Sequence, residues 1–275
     1  MDPGLLRDAL TLAAGVLTGA LSGAFGVGGA VISTPSLRAL GLPAILAVGT
    51  TLPSILPSAI TGTLRYRRDG LIDFTTVAWT APFGIAASVG GSALAHVLPG
   101  DGHIPMILTA VLLAFTAWRM VRTPRRSAVE GVEVGAPAET QAADAPPPRR
   151  HDRPAVLVPI GLGAGLMSGL LGIGGGIIMV PAFTEIARIP LKRAIATSLA
   201  CVGLFAIPGT ITHWLLGGID WWPWAILLSI GVIPGARLGA ALAVKATDAK
   251  LRRAVGGFLG VISVIYFTGE ILALS

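Results

Sequence analysis

The sequence predicts an all-α polytopic membrane protein made of two inverted-topology repeats, each with a glycine-rich re-entrant (or full) helical hairpin plus three transmembrane helices. The first observation behind this prediction is composition, since 53% of the residues are hydrophobic and only 12% are charged. A soluble domain carries about 25% charged residues. The other two observations are a duplicated glycine-rich segment and the distribution of Lys and Arg. The net charge of +6 is attributed to basic cytoplasmic loops and not to nucleic-acid binding.

The glycine-rich segment occurs once in each half of the chain. Ser22–Ala30 reads SGAFGVGGA, and Ser168–Gly176 reads SGLLGIGGG. A proline follows each copy at the same distance. The similarity continues in order through further pairs: Thr50–Leu52 with Thr197–Leu199, Gly62 with Gly209, Gly70 with Gly217, and Ile72–Asp73 with Ile219–Asp220. An ordered series of this kind predicts an internal duplication.

The duplication divides the chain into a first membrane repeat at 1–121, a flexible linker at 122–153 and a second membrane repeat at 154–275. The linker is rich in Pro, Ala and Arg and has no apolar periodicity. Each repeat contains four apolar blocks that provide the predicted helices. They cover about 5–37, 43–64, 74–98 and 104–121 in the first repeat, and about 155–187, 191–216, 221–244 and 254–274 in the second.

Lys and Arg near the block ends predict the orientation of the two repeats. The basic ends of the linker and the segment Arg65–Arg68 are predicted to be cytoplasmic. The loop that corresponds to Arg65–Arg68 in the second repeat, 213–218, has no Lys or Arg and is predicted to lie outside. Corresponding loops therefore lie on opposite sides, so the repeats are inverted and both termini lie outside. Inversion requires an odd number of crossings, so the first block of each repeat must return to the side that it entered.

The returning blocks place the glycines at the tips of two hairpins that meet near mid-membrane. Each second arm has roughly 8–11 apolar residues, or about 12–17 Å of helix, which is shorter than the hydrocarbon layer. Backbone N–H groups at a helix start attract anions, and glycine allows close approach. The candidate substrate-binding residues are the tip glycines and the hydroxyls of the following helices: Gly26, Gly28, Gly29, Thr50, Thr51, Gly172, Gly174, Gly175, Gly176, Thr197 and Ser198. The alternative is that the glycines only permit close helix packing.

Arg237 is a further candidate because it lies about eight residues, or roughly 12 Å, before the charged end of its span. An intramembrane arginine is costly, and its guanidinium pairs bidentately with an oxyanion. The alternative is an arginine that snorkels to the surface or bonds backbone carbonyls. Among the other polar residues, Asp73 and Asp220 are predicted helix N-caps. His213 is predicted to be an interfacial group, although its ring is able to titrate near neutral pH.

Motifs for catalysis are missing from the sequence. There are no clustered acids, no His-rich metal spacing, no serine motif with a nearby base and no Walker phosphate loop. The sequence therefore predicts neither enzyme activity nor a metal or other cofactor. The single cysteine, Cys201, excludes an internal disulfide.

The doubled Gly-x-Gly-Gly segment with its proline, at Gly26–Gly29 with Pro35 and at Gly172–Gly175 with Pro181, resembles the sulfite exporter TauE/SafE family. The Thr50–Leu52 segment and its counterpart also resemble that family, and the resemblance covers both halves but not the linker. It implies a multi-pass permease of the bacterial inner (plasma) membrane for a small sulfur-containing anion such as sulfite or an organosulfonate like sulfoacetate.

The expected activity is secondary transport, with export as the expected direction, by alternating access around a central site. A channel or facilitator for a small ion or neutral solute is the alternative. The expected partners are the anionic substrate and the lipid bilayer, with no nucleic acid. A homodimer is compatible with the sequence.

Overall fold

The computed structural model describes residues 3–97, 103–122, 154–172 and 174–274, which form ten α-helices. The helices of the first half are α1 (Pro3–Phe25), α2 (Ala30–Ala39), α3 (Ala44–Arg68), α4 (Phe74–Val97) and α5 (His103–Arg122). Those of the second half are α6 (Pro154–Leu171), α7 (Gly176–Glu185), α8 (Leu191–Leu215), α9 (Ile226–Lys245) and α10 (Asp248–Leu274). An irregular helical turn, Trp221–Ala225, precedes α9. Apart from Arg122, the predicted linker lies outside the described residues.

Among the described helices, seven are long and apolar enough to cross a membrane: α1, α3, α4, α6, α8, α9 with its preceding turn, and α10. This confirms the prediction of a helical multi-pass membrane protein. The helix α5 contributes a shorter apolar segment, Ile107–Trp118. The helices α2 and α7 each have 10 residues, which matches the length expected for the second hairpin arms.

Pro35 and Pro181 lie inside the short second arms, since α2 continues to Ala39 and α7 to Glu185. One helix boundary differs from the sequence-based expectation. The last helix begins at Asp248 and not near 254, because Thr247 accepts a hydrogen bond from the Lys250 N–H and an acidic residue occupies the first turn.

Small residues bring two pairs of helices into close contact. The helix α1 packs along α9, and α6 packs along α4, so closely that a Cβ at the contacting glycines would overlap backbone atoms of the partner. The contacts are Gly19 with Val232, Gly23 with Ala236, Gly165 with Gly84, and Gly169 with Ser88. Within each pair the contacts advance together along both helices, so the two partners run in the same direction. Small interfacial residues of this kind are typical of packed membrane helices.

The helices α3 and α8 cross at the centre of the molecule in opposite directions. Gly62 of α3 contacts Leu199 of α8, and Gly209 of α8 contacts Leu52 of α3. The helices α5 and α10 also pack in opposite directions, since Gly260 lies near Ala117 and the Ser263 Oγ donates to the Ala110 carbonyl at 3.1 Å. Among the seven candidate spans, those of α3 and α8 have the largest buried shares, at 67% and 61%. Large apolar side chains on α1, α4, α9 and α10 are exposed, as lipid contact requires.

Candidate functional site at the glycine tips

Two helical hairpins end in glycine turns of the same backbone geometry. We define hairpin 1 as α1 and α2, joined by residues 26–29, and hairpin 2 as α6 and α7, joined by residues 172–175. The turns require glycine because their φ angles are positive, a conformation that side chains rarely adopt. The angles are 68°, 90° and 76° at Gly26, Gly28 and Gly29, and 67°, 83° and 69° at Gly172, Gly174 and Gly175.

The two glycine turns contact each other. An ideal Cβ built on Gly174 would lie 3.3 Å from the Gly28 Cα, and one built on Gly176 would overlap the Gly26 carbonyl. The same position at Gly174 lies 3.4 Å from Ile55 and 2.9 Å from Val202, which are near the middle of α3 and α8. The candidate glycines of both halves are therefore brought together at the centre of the fold, and all of them are buried.

Hydroxyl groups on α3 and α8 contact the glycine turn of the other half. The Ser198 Oγ on α8 donates to the Gly26 carbonyl at 2.6 Å. The Thr51 Oγ1 on α3 donates to the carbonyl of Val48 at 2.8 Å and lies 3.5 Å from the Gly172 carbonyl. The sequence suggested that these hydroxyls donate to a substrate, but in this conformation both donate to backbone carbonyls, Ser198 to the opposite glycine turn and Thr51 to Val48 within α3.

Thr50 and Thr197 accept hydrogen bonds that also join the two halves. The Asp220 N–H donates to the Thr50 Oγ1 at 2.9 Å, and the Asp73 N–H donates to the Thr197 Oγ1 at 3.0 Å. Asp73 caps α4, because its carboxylate accepts the Thr76 N–H at 3.1 Å, which confirms the predicted N-cap. The same prediction is wrong for Asp220, whose side chain makes no capping hydrogen bond because the irregular turn at Trp221 follows it.

Two larger polar side chains contact the hairpins just before the glycine turns. The Tyr66 hydroxyl donates to the Gly23 carbonyl at 2.6 Å, and the His213 Nε2 lies 3.3 Å from the Gly169 carbonyl. Sequence reasoning missed Tyr66. It treated His213 only as an interfacial group near the end of its span, whereas the structure buries the ring against protein, at 0% exposure. The repeat links the two residues, since Tyr66 and His213 are separated along the chain by the same number of residues as Asp73 and Asp220. That correspondence could have identified them as a pair.

Arg237 lies apart from the glycine tips. Its side chain is exposed on α9, whereas its neighbours Gly235, Ala236 and Gly239 pack against α1. The structure therefore does not bring Arg237 together with the other candidate residues, and its position fits the alternative of an arginine that reaches the membrane surface. Among the described residues, no three His, Cys, Asp or Glu side chains lie together as metal ligands would.

Comparison with known proteins assigns the chain to a family. The model of the family described as "Sulfite exporter TauE/SafE" matches residues 11–266. The chain belongs to the sulfite exporter TauE/SafE family. Membership of this family supports a membrane transporter. No solved structure matches the chain significantly.

The curated relatives carry the same general description. The chain is 28% identical over 246 residues to the probable membrane transporter protein YunE of Bacillus subtilis, covering 83% of this chain and 85% of the relative. It is 27% identical over 260 residues to a probable membrane transporter protein of Xylella fastidiosa, covering 94% of this chain and 93% of the relative. It is 26% identical over 281 residues to the probable membrane transporter protein MJ0441 of Methanocaldococcus jannaschii, covering 94% of this chain and 95% of the relative.

Proposed function

We propose that the protein is a secondary transporter that exports a small sulfur-containing anion, such as sulfite or an organosulfonate like sulfoacetate, by alternating access. The observation that carries this proposal is the contact between the two glycine turns, at Gly28 and Gly174, in the middle of α3 and α8. Membership of a family described as sulfite exporters supports the class of substrate. The bilayer of the bacterial inner membrane is the proposed location, with the linker cytoplasmic and both termini outside.

The starts of α2 and α7 provide the anion-binding chemistry. Each helix begins directly at a glycine turn, with Gly29 or Gly175 as its N-cap and without a side-chain cap. The first N–H groups of a helix lack intrahelical acceptors, and the helix dipole adds positive potential at this end. Two such ends converge on one buried place, where an oxyanion accepts hydrogen bonds from both. The glycines leave room for the anion to approach the backbone closely.

Inverted repeats explain the reciprocal contacts between the halves. The pairs α3 with α8 and α5 with α10 pack in opposite directions, as corresponding helices of inverted repeats do. Hydrogen bonds are also exchanged in both directions, with Asp73 bonded to Thr197 and Asp220 bonded to Thr50. These observations support a duplication in which each half supplies one hairpin to a shared central site.

Substrate binding requires the two glycine turns to separate. A Cβ added at Gly176 would overlap the Gly26 carbonyl, so an anion does not fit between the turns while they are in contact. Separation breaks the hydrogen bond from the Ser198 hydroxyl to the Gly26 carbonyl and the 3.5 Å contact of the Thr51 hydroxyl with the Gly172 carbonyl. Access from either side then depends on which hairpin moves away from α3 and α8.

Flux measurements in proteoliposomes test this function. Purified protein is expected to move labelled sulfite or sulfoacetate faster than empty liposomes do, and chloride at the same concentration is expected not to compete. Flux equal to that of empty liposomes for sulfite and for a panel of sulfonates would contradict the substrate class. Saturable counterflow into preloaded vesicles is expected of a transporter. Its absence alongside substrate flux would favour the channel or facilitator.

A further inference from the structure

Three buried hydroxyl groups on hairpin 1 make no hydrogen bond with the part of the chain that the structure describes. They are the Thr18 Oγ1 and the Ser22 Oγ on α1 and the Ser33 Oγ on α2. Their residues are 1%, 1% and 0% exposed. Leaving a buried hydroxyl without a partner costs free energy, so each such group in a native protein needs an explanation. We call these three side chains the hydroxyl set.

The hydroxyl set lies at the start of α2. An ideal Cβ built on Gly29, the N-cap of α2, would lie 2.8 Å from the Thr18 Cγ2 and 3.1 Å from the Ser22 Cβ. Both side chains of α1 therefore point at the end of α2 whose N–H groups lack intrahelical acceptors. Ser33 lies one turn further along α2, and its N–H donates to the Gly29 carbonyl at 3.5 Å.

Hairpin 2 repeats the backbone of this arrangement but not its hydroxyl groups. An ideal Cβ built on Gly175 would overlap the Ala164 carbonyl, so Ala164 contacts the start of α7 as Thr18 contacts the start of α2. The residues that correspond to the hydroxyl set are Ala164, Ser168 and Met179. One hydroxyl is therefore present where hairpin 1 has three. A hairpin of this shape forms without the other two hydroxyls, so the fold alone does not explain them.

The helix start decides which kind of ligand fits the hydroxyl set. A hydroxyl both donates and accepts hydrogen bonds, so by itself it suits an anion or a cation. The start of α2 adds positive partial charge and N–H donors, which repel a cation and attract an oxygen atom that accepts hydrogen bonds. Among the described residues of α1 and α2, the carboxylate is that of Asp8, at the far end of α1. The ligand group that fits is therefore an oxyanion.

We propose that Thr18, Ser22 and Ser33 form a subsite for a second oxyanionic group of the substrate, such as a carboxylate. The inference rests on the proposed function and deepens it, because it makes an organosulfonate with a carboxylate a better substrate than sulfite or a simple alkyl sulfonate. The sulfonate lies between the glycine turns, and the carboxylate accepts hydrogen bonds from the hydroxyl set beside Gly29. Hydrogen bonds to a charged acceptor are stronger than neutral ones, so binding offsets the cost of the unpaired hydroxyls.

The half-saturating concentrations of two sulfonates in counterflow test this subsite. Sulfoacetate has a carboxylate, and methanesulfonate does not. The wild-type protein is expected to prefer sulfoacetate by at least about tenfold, because a site built to hydrogen-bond a group discriminates against a ligand that lacks it. Thr18→Val keeps the side-chain shape and is expected to reduce this preference at least about threefold, through sulfoacetate alone. A wild-type protein without the preference, or a Thr18→Val protein that retains it in full, would overturn the proposal.

Thr80→Val is the matched control for Thr18→Val. Thr80 on α4 is 0% exposed, its Oγ1 also has no hydrogen-bond partner among the described residues, and its carbonyl contacts Gly161, far along α6 from the glycine turn. Thr80→Val is expected to keep the wild-type preference. Neither variant loses a hydrogen bond within the protein, so neither is expected to unfold at a lower denaturant concentration in detergent. Equal losses of preference in both variants, or a Thr18→Val protein that is less stable in proportion, would overturn the proposal in favour of packing.

Taurine tests the charge of the second group, since it carries an ammonium where sulfoacetate carries a carboxylate. Taurine is expected to compete for sulfoacetate counterflow no better than methanesulfonate does, because the start of α2 repels a cation. Competition by taurine that equals competition by unlabelled sulfoacetate would overturn the assignment of an oxyanion.

Titration of the purified protein with sulfoacetate separates failure of this inference from failure of the proposed function. Binding that weakens at least about threefold in Thr18→Val but not in Thr80→Val supports the subsite whether or not flux is found. Such binding without sulfonate flux overturns the proposed function alone. Flux with the same affinity in the wild type and in Thr18→Val overturns the subsite alone. No binding of sulfoacetate overturns both.

Discussion

Hairpin 1 and hairpin 2 share a backbone but differ in side chains. Their three positive φ angles agree within 7° at each corresponding position, and each turn begins with an N–H donated to the carbonyl of Ser22 or Ser168. The side chains around the turns are less alike. Hairpin 1 buries Thr18, Ser33 and Thr34, where hairpin 2 has the apolar residues Ala164, Met179 and Val180.

The comparison separates the backbone geometry, which both hairpins share, from the side-chain polarity, which differs between them. The proposed anion site uses backbone N–H groups at a helix start, which bind an anion whatever side chains surround them, and this proposal accounts for the turn geometry that both hairpins share. Side-chain polarity sets the cost of letting water reach each hairpin, and that cost is lower for hydroxyls than for aliphatic groups. Hairpin 1 is therefore expected to hydrate more readily, and the two hairpins are expected to open with different ease.

The largest effect is expected from a methyl group in the turn. In Gly174→Ala the alanine must adopt a positive φ of 83°. Its new Cβ lies 2.9 Å from Val202 and 3.3 Å from Gly28. Strain and crowding cost about 1–3 kcal/mol each, so flux is expected to fall at least about tenfold. Gly217→Ala is the matched control, since its φ is 71° and nothing lies within 4 Å of the new Cβ. Equal losses in the two variants would assign the effect to backbone strain and not to the site.

The hydroxyls that hold the two turns are expected to differ in strength. Ser198→Ala leaves the buried Gly26 carbonyl without its 2.6 Å bond, which costs about 1–3 kcal/mol of unfolding free energy. Thr51→Ala removes a contact of 3.5 Å to the Gly172 carbonyl and is expected to cost less. Chemical denaturation in detergent measures both changes. A greater loss in Thr51→Ala would contradict the asymmetry between the hairpins.

The two threonines that join the halves are expected to be equivalent. Thr50→Val and Thr197→Val each remove the acceptor of a backbone N–H, which is part-buried at Asp220 and buried at Asp73, at 2.9 Å and 3.0 Å respectively. Each is expected to lower the unfolding free energy by about 1–2 kcal/mol, and the double variant by about the sum. A difference between the single variants larger than about 1 kcal/mol would contradict the reciprocal arrangement that supports inverted repeats.

The smallest effect is expected at Arg237. The side chain is exposed and lies away from the buried turns, so Arg237→Ala is expected to change sulfoacetate flux by less than about twofold, as substitutions on a surface do. Concentration-dependent flux gives both the maximal rate and the half-saturating concentration. A tenfold rise in the half-saturating concentration would indicate that Arg237 belongs to the substrate site. The glycine turns would then not be the sole source of anion affinity in that site.

Much of the fold could be predicted from the sequence because membrane insertion constrains it strongly. Apolar block lengths predicted the helices, and the doubled glycine segment predicted two hairpins with short second arms. Charge patterning led to the expectation that the two turns lie close together, and the turns do contact each other. Such features depend on composition and length, which a single sequence displays directly.

The roles of individual polar side chains could not be predicted in the same way. Whether Arg237 faces a partner helix or lipid depends on which face of α9 packs against α1. The small residues Gly235, Ala236 and Gly239 form that face. Burial of His213 likewise depends on contacts of α8 with α6, which are distant in sequence. The hydroxyls of Ser198 and Thr51 lie beside the glycine turns, but which backbone carbonyls they contact depends on tertiary packing.

A structure determined with sulfoacetate bound is the decisive test of the proposed anion site. Density for the anion is expected between the separated glycine turns, with sulfonate oxygens within about 3 Å of backbone N–H groups at the starts of both α2 and α7. The Ser198 and Thr51 hydroxyls are then expected to have moved away from at least one turn carbonyl. Density beside Arg237, or turns that remain in contact while the anion is bound elsewhere, would contradict the account.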